Sequence, residues 1–404
     1  MTKAMLQARV ALRYWSPLRP EGALPDCLRS GVGMKFRSAS RKVSTEARPS
    51  AGKWGGCGPF GAWLLLTVML APVAHAEDKT SVQIPALSSK LASKTLLTDS
   101  VQLSDRVVAV GSQGVIVYSI NGADWVQAKV PTQVLLTTVF FIDDREGWAA
   151  GHDTLILHTT DGGETWSIQY EDPITGGDLP KPILDIHFDD RMNGWAIGAF
   201  SLMLETRDGG KSWESVDTSE LSDKLDGLGQ EPEPNFNALY RMEDGFFIVG
   251  ELGTLLHYRI GGAADAAVPA DDSGDPADQA GPWRVFESPY EGSFFGVHRL
   301  KDGEVLIYGL RGHLFGAARL GDPWVKIDTG DSTANIDDVI ELSTGEVIAV
   351  GSGGAMFRVD RAANRATLIA YGGFDGFISA QEAGPTRLLL FGNAGAKFFD
   401  LPQS

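Results

Sequence analysis

Two stretches of this sequence set an acid, glycines and a tryptophan at matched spacing: Thr159-Thr-Asp161-Gly-Gly163-Glu-Thr165-Trp166 and Thr206-Arg-Asp208-Gly-Gly210-Lys-Ser212-Trp213. Both fit the Asp-box pattern S/T-x-D-x-G-x-T/S-W, and Ser119-Ile-Asn121-Gly-Ala-Asp-Trp125 is a shortened relative. An acid on a turn can serve a glycosidase, but this pattern has a simpler physical reading. The carboxylate accepts backbone N–H groups of a hairpin turn, the glycine takes φ > 0, and the tryptophan packs inward. Asp161, Gly163, Trp166, Asp208, Gly210 and Trp213 are therefore expected to be scaffold.

The other chemistry-bearing residues form no constellation. A sialidase-type reaction needs three converging arginines, a tyrosine nucleophile with a carboxylate partner, and a second acid. Arg106, Arg145, Arg191, Arg241, Arg311 and Arg387 are scattered in sequence, and most fit turns. Among the seven histidines, His158 and His257 share one repeat position and read as packing. His187 and His298 share another, with Asp185 two residues before His187; they read as satisfied residues beside a central channel rather than metal ligands. Phosphate-loop, HExxH and GxSxG patterns are missing. The sequence thus gives no catalytic residue, no metal and no cofactor, and a carbohydrate-binding or sialidase-like propeller stands as the alternative reading.

The elements that must carry these turns are repeats. Alternating apolar runs end on Gly111, Gly151, Gly198, Gly250, Gly309, Gly351 and Gly392, spaced by 40, 47, 52, 59, 42 and 41 residues. A second alternating run follows each glycine. In five copies a tryptophan then follows, 14 or 15 residues after the glycine in four of them and 33 in the fourth copy. Period-two alternation, abundant glycine and about 40–45 residues per copy define an all-β, seven-bladed propeller of four-stranded antiparallel blades. With strands lettered A to D from the axis outward, the second blade has A at 136–142, B at 147–151, C at 154–159 and D at 165–170. The last copy runs out after its C strand, so Ser81-Val82-Gln83-Ile84 is expected to complete it and close the ring. Residues 261–281, acidic and low in complexity, read as a disordered excursion. Residues 217–235 read as a long loop.

Charge divides the chain. Residues 1–60 hold 11 Lys/Arg against 3 Asp/Glu, residues 61–76 hold neither, and residues 77–404 hold 24 against 49. The apolar run FGAWLLLTVMLAPVA (60–74) and Ala74-His75-Ala76 form a signal-peptide pattern, with cleavage between Ala76 and Glu77. The expected organisation is a leader over 1–76, with Met34 a second candidate start, and one propeller over 77–404. Cys27 and Cys57 both precede the cut, so the exported, periplasmic or secreted product would hold no thiol. A body at −25 repels nucleic acid.

Gly147-Trp148-Ala149-Ala150-Gly151 and Gly194-Trp195-Ala196-Ile197-Gly198, each followed by an Asp-box, resemble the photosystem II stability/assembly factor family, whose bacterial relatives carry BNR-repeat labels. The resemblance spans about 96–404. It implies a seven-bladed, non-enzymatic assembly factor that grips a membrane-protein client. Photosynthetic members carry an arginine patch for that client. The acidic body and the lack of an arginine series here point to a non-photosynthetic bacterial branch, a monomer whose protein client belongs to a membrane or envelope complex. Connectivity puts the B–C turns and D–A loops on one face and the Asp-boxes on the other. The first face would bind the partner through His152, Asp153, Phe200, Glu251, Leu252 and Arg311, with Phe200, Leu252 and Leu310 as exposed apolar tips.

Overall fold

The computed structural model describes residues 84–172, 180–262 and 281–402. These form seven antiparallel sheets in chain order, six of four strands and a last one of three. In the second blade, strand A is Leu136–Phe141, B is Gly147–Gly151, C is Ile156–Thr159 and D is Ser167–Tyr170. The glycine that ends each B strand lies under the neighbouring A strand. A Cβ on Gly151 would sit 2.1 Å from the Leu135 carbonyl oxygen, so the marker glycine is a steric requirement of the repeat.

No blade has a core of its own. The buried apolar side chains fall into seven clusters, each drawn from two consecutive blades. Trp166 of blade two, for example, packs with Val108 and Val110 of blade one. The apolar face of one sheet is covered only by the next, which makes the ring the unit of stability.

Every A strand carries a β-bulge near its start, and the bulges staple neighbouring blades. Thr98 and Thr137 donate their hydroxyls to the Leu136 and Ile183 carbonyls of the following blades, at 2.7 and 2.6 Å. One residue further on, the Asp99, Asp185 and Asp338 carboxylates each accept an N–H from the next blade's A strand: Val139, Leu239 and Ala380, all at 2.9 Å.

The structure bears on two further expectations. The last blade has three strands among the described residues: Phe377–Gly384, Arg387–Gly392 and Gly395–Asp400. Ser81, Val82 and Gln83 lie outside the described residues, and Ile84 is not in a strand. Residues 85–89, which follow it, run along the outer rim of blade one. There Ala86 N–H donates to Val130 O at 3.0 Å, and the Gln127 side chain spans Leu87 and Ser89. Pro85 has no N–H to offer a ladder, and its carbonyl accepts from the Gln133 side chain at 3.0 Å. The ring closes by side chains: Ser100 Oγ lies 2.7 Å from Ser379 Oγ, Gln381 donates to Ser100 O, and Trp125 meets Phe391 edge-on.

The second is corrected by a helix, α1 (Ser219–Gly227), inside the 217–235 stretch read as loop. Leu221 and Leu225, one turn apart, are buried with Trp195 and Trp283, while Glu220 and Lys224 pair at 2.9 Å on the same helix. The acidic insertion falls outside the described residues over 263–280, as do the leader and 173–179 of another long loop.

Candidate functional site

The two faces of the ring are built from different turns. On one, each Asp-box meets the A–B turn of its own blade. Gly162 N–H donates to Arg145 O and Gly209 N–H to Met192 O, both at 2.9 Å. Asp161 Oδ1 accepts the N–H groups of Glu164 and Thr165 at 3.0 Å and the Thr159 hydroxyl at 2.8 Å, and Oδ2 accepts the Thr165 hydroxyl. Asp208 repeats this with Ser212 and Thr206. The Ser212 hydroxyl and N–H hold the Asp208 carboxyl at about 2. Gly163 and Gly210 take φ of 86° and 82°. Trp166 meets Phe141 edge-on, and Trp213 meets Phe188 the same way. Each carboxylate is committed to its own turn, as a scaffold role requires.

The arginines gather on this face too. Arg106, Arg145, Arg191 and Arg387 stand at A–B turns, and Arg241 and Arg299 end A strands. They share a face but not a repeat position, standing five to ten residues before the marker glycine of their blades. Carboxylates neutralise several of them: Arg106 pairs with Asp105 and Glu164, Arg191 with Asp143 and Glu146, and Arg241 with Asp189.

On the other face, the B–C connections of blades one to six are two-residue hairpins with both central residues left-handed, the type I′ geometry that favours Asn-Gly. The central pairs are Gln113-Gly114, Asp153-Thr154, Phe200-Ser201, Leu252-Gly253, Arg311-Gly312 and Gly353-Gly354. Blades two and three therefore place non-glycine residues at both strained positions. Thr154 is β-branched at φ 50°, an outlier that its surroundings must hold. The holding groups come from the following D–A loop. The Thr154 hydroxyl donates to Lys181 O at 2.8 Å, Lys181 Nζ to Phe200 O at 3.1 Å, and Phe200 N–H to Asn235 Oδ1 at 2.8 Å. Asn235 Nδ2 in turn donates to Glu251 Oε2 at 2.9 Å. One hydrogen-bonded chain thus crosses the turns of blades two, three and four.

The sequence-selected residues fall on this face as follows. Asp153, Phe200, Leu252 and Arg311 are the first left-handed residues of their hairpins and point outward; Phe200 and Leu252 are each 54% exposed. His152 and Glu251 each stand one residue earlier and are half-buried. Burial lowers the His152 pKa, and its Nε2 is sealed without a partner among the described residues. Arg311 lies on blade five, outside the hydrogen-bonded chain, and its N–H is held by Asn335 Oδ1 at 3.1 Å. Leu310, expected at an exposed tip, is half-buried.

Sequence reasoning missed Phe374, in the loop before blade seven, which is 91% exposed. Its loop is fixed by Asp375, which accepts the Tyr371 hydroxyl at 2.5 Å and pairs with Lys397 at 2.6 Å. Burial and that carboxylate push the Tyr371 hydroxyl up to about 12. The signal was Gly372-Gly373-Phe374-Asp375-Gly376, an aromatic among glycines that has nothing nearby to bury it.

The channel histidines form no metal site. The Asp185 carboxylate is used by Ile186 and Leu239 N–H groups, while His187 Nε2 turns 3.1 Å to Asp189 Oδ1. Among the described residues, no group of three or more His, Cys, Asp or Glu is placed to hold a metal ion.

Fold and turns define a seven-bladed Asp-box propeller with one face of Asp-boxes and A–B turns and one face of B–C turns and D–A loops. Comparison with known proteins agrees with the motif-based resemblance. The family model described as photosynthesis system II assembly factor YCF48 matches residues 117–178 and 177–278. The chloroplastic photosystem II stability/assembly factor HCF136 of Cyanidioschyzon merolae is 29% identical over 169 residues, 40% of this chain and 35% of that protein. The chain thus spans about a third of the length of the curated relative it matches. Among solved structures, YCF48 bound to D1 peptide superposes with a TM-score of 0.57 at 18% identity, covering 79% of this chain and 100% of that one. YCF48 from Cyanidioschyzon merolae gives 0.54 at 15% identity, covering 76% and 96%. Over residues 117–278 the chain is thus similar to photosystem II assembly factors, and it shares the β-propeller fold of the solved YCF48 structures.

Proposed function

We propose that this propeller is a non-enzymatic assembly factor that binds a protein client on the face built from B–C turns and D–A loops. The observation that carries the reading is the exposure of Phe200, Leu252 and Phe374 on that face, on hairpins and loops whose backbones are held by fixed hydrogen bonds. Large apolar side chains on a rigid, loop-built surface are the usual anchors of protein contacts. The relative solved with a D1 peptide supports a protein as the kind of ligand. The leader pattern over 60–76 supports an exported monomer acting on a membrane or envelope complex, in a bacterial setting other than photosynthesis.

The test is co-purification from the native host with the full chain. The Phe200→Ala/Leu252→Ala/Phe374→Ala triple variant is expected to lose the client at least tenfold, while Ile120→Ala, equally exposed on an Asp-box-side turn, keeps it. Equal recovery from both variants would remove this face from consideration. N-terminal sequencing of the product tests export, with Glu77 expected as the first residue.

A further inference from the structure

The surface over blades two to four has a composition that selects its partner. Its apolar centre is Phe200 and Leu252, adjacent blades' hairpin tips joined through Asn235 and Glu251. Around it stand Asp153 and Glu251 of the hairpins and Glu233, next to the Pro234 carbonyl that takes the Ser201 N–H. From the end of blade one to the start of blade seven, the described residues of the B–C turns and D–A loops hold four bases, Lys129, Lys181, Lys224 and Arg311; the segment entering blade one adds Lys90 and Lys94, by the blade-seven turn. Two of those four are already engaged here. Lys224 pairs with Glu220 and donates to the Trp283 carbonyl, and Lys181 donates to Phe200 O. Lys181 also sits 6.0 Å from the centre of the Phe200 ring, so a cation is already held beside that aromatic face. On the opposite face several of the acids are committed to arginine pairs, as with Glu164, Glu146 and Asp189.

We propose that the sector around Phe200 and Leu252 binds a cationic, apolar-bearing peptide segment of the client, with Lys or Arg against the acidic rim and the Phe200 ring and an aliphatic or aromatic side chain against Leu252. This rests on the client-docking reading above and narrows it to one sector and one chemistry. Acidic excess repels anionic segments and speeds encounter with cationic ones, while the exposed apolar pair supplies area that charge alone does not. The strain in the Asp153-Thr154 and Phe200-Ser201 hairpins fixes where these side chains stand before the partner arrives.

Two measurements test it on the full chain. In the first, fluorescence anisotropy follows a labelled 12-residue peptide alternating Lys/Arg with Leu/Trp, a Glu/Asp peptide of the same apolar content, and a Lys/Gly peptide without apolar residues. The cationic apolar peptide is expected to bind at least tenfold tighter than either control and to weaken several-fold from 50 to 300 mM salt. Phe200→Ala or Asp153→Asn/Glu251→Gln is expected to weaken it at least fivefold, while Phe200→Trp restores binding and Ile120→Ala leaves it unchanged. Equal binding of the acidic peptide, or indifference to the Phe200 and acid variants in folded protein, overturns the proposal. In the second, a photo-crosslinker at position 200 captures the client in the native host, and the linked peptide is sequenced. A basic, apolar-bearing peptide supports the proposal. A neutral or acidic peptide overturns the cationic specificity and leaves the docking face standing. Crosslinks that form only from position 120 overturn the docking face itself.

Discussion

The two faces of this ring solve the same geometric problem, reversing a hairpin in every blade, with opposite materials. At the Asp-boxes glycine supplies the positive φ, a carboxylate satisfies the turn's N–H groups, and a tryptophan seals the blade interface. At the B–C turns of blades two and three, Asp153, Thr154, Phe200 and Ser201 carry the positive φ themselves, and groups from the next loop hold them there. The first arrangement is cheap and closed. The second stores strain to present a side chain, as recognition surfaces do. The charges differ in their use: on the Asp-box face arginine pairs and turn N–H groups engage many of the carboxylates, whereas Asp153 on the loop face stands exposed at a hairpin tip.

Substitution should separate the faces by what it changes. The largest effect is expected at the blade interface. Trp166→Ala removes a buried indole between blades one and two and should cost about 3–5 kcal/mol, read as a lower midpoint in urea unfolding, with peptide affinity intact in the protein that remains folded. An unchanged midpoint would mean that the Asp-box tryptophan is not the seal described here.

Next in size is the strain itself. Gly353 occupies in blade six the position that Asp153 and Leu252 occupy in blades two and four, at φ 66° with open space around its missing Cβ. Gly353→Ala should therefore destabilise by about 1 kcal/mol, and Asp153→Gly should stabilise by a similar amount while weakening cationic peptide binding. Stability and binding moving together in Asp153→Gly would deny that the strained turn serves recognition.

The smallest effects are in the pH profile. Burial lowers the pKa of His152, His187, His257 and His298, so each stays neutral in the fold while the unfolded chain takes up protons. Stability should be full above about pH 6.5 and decline as pH falls below it. Asp208, held at about 2, adds a second step: its contribution is present above about pH 4 and lost as pH falls toward 2. Thermal melts should show both limbs. Asp208→Asn should flatten only the lower limb, and His257→Gln only the upper. A single transition insensitive to both variants would contradict these assignments.

Much of the fold was legible in the sequence because its causes are local and repeated. The marker glycines are forced by a carbonyl 2 Å from their absent Cβ atoms, and the alternation follows from two-sided burial between blades. The strands of the second blade stand within two residues of where the pattern put them. The closing strand read over 81–84 falls mostly outside the described residues, and strand counting was silent about the path of the segment after it, which the Ala86–Val130 contact shows. Helix α1 hid in an acidic, proline-flanked stretch, with only Leu221 and Leu225 to mark its buried side. Of the loop-face residues, Phe200 and Leu252 could be placed from connectivity alone, since each follows the B-strand glycine by two residues. The chain through Lys181, Asn235 and Glu251 joins groups far apart in sequence, and Phe374 lies in a loop with no repeat counterpart to flag it.

The most direct test of the division between faces is hydrogen–deuterium exchange on the intact protein with and without its captured client. Added protection over 152–154, 199–201 and 251–253, with the Asp-box turns at 159–166 and 206–213 unchanged, is the expected result. Protection confined to the Asp-box turns, with the B–C hairpins unaffected, would contradict it.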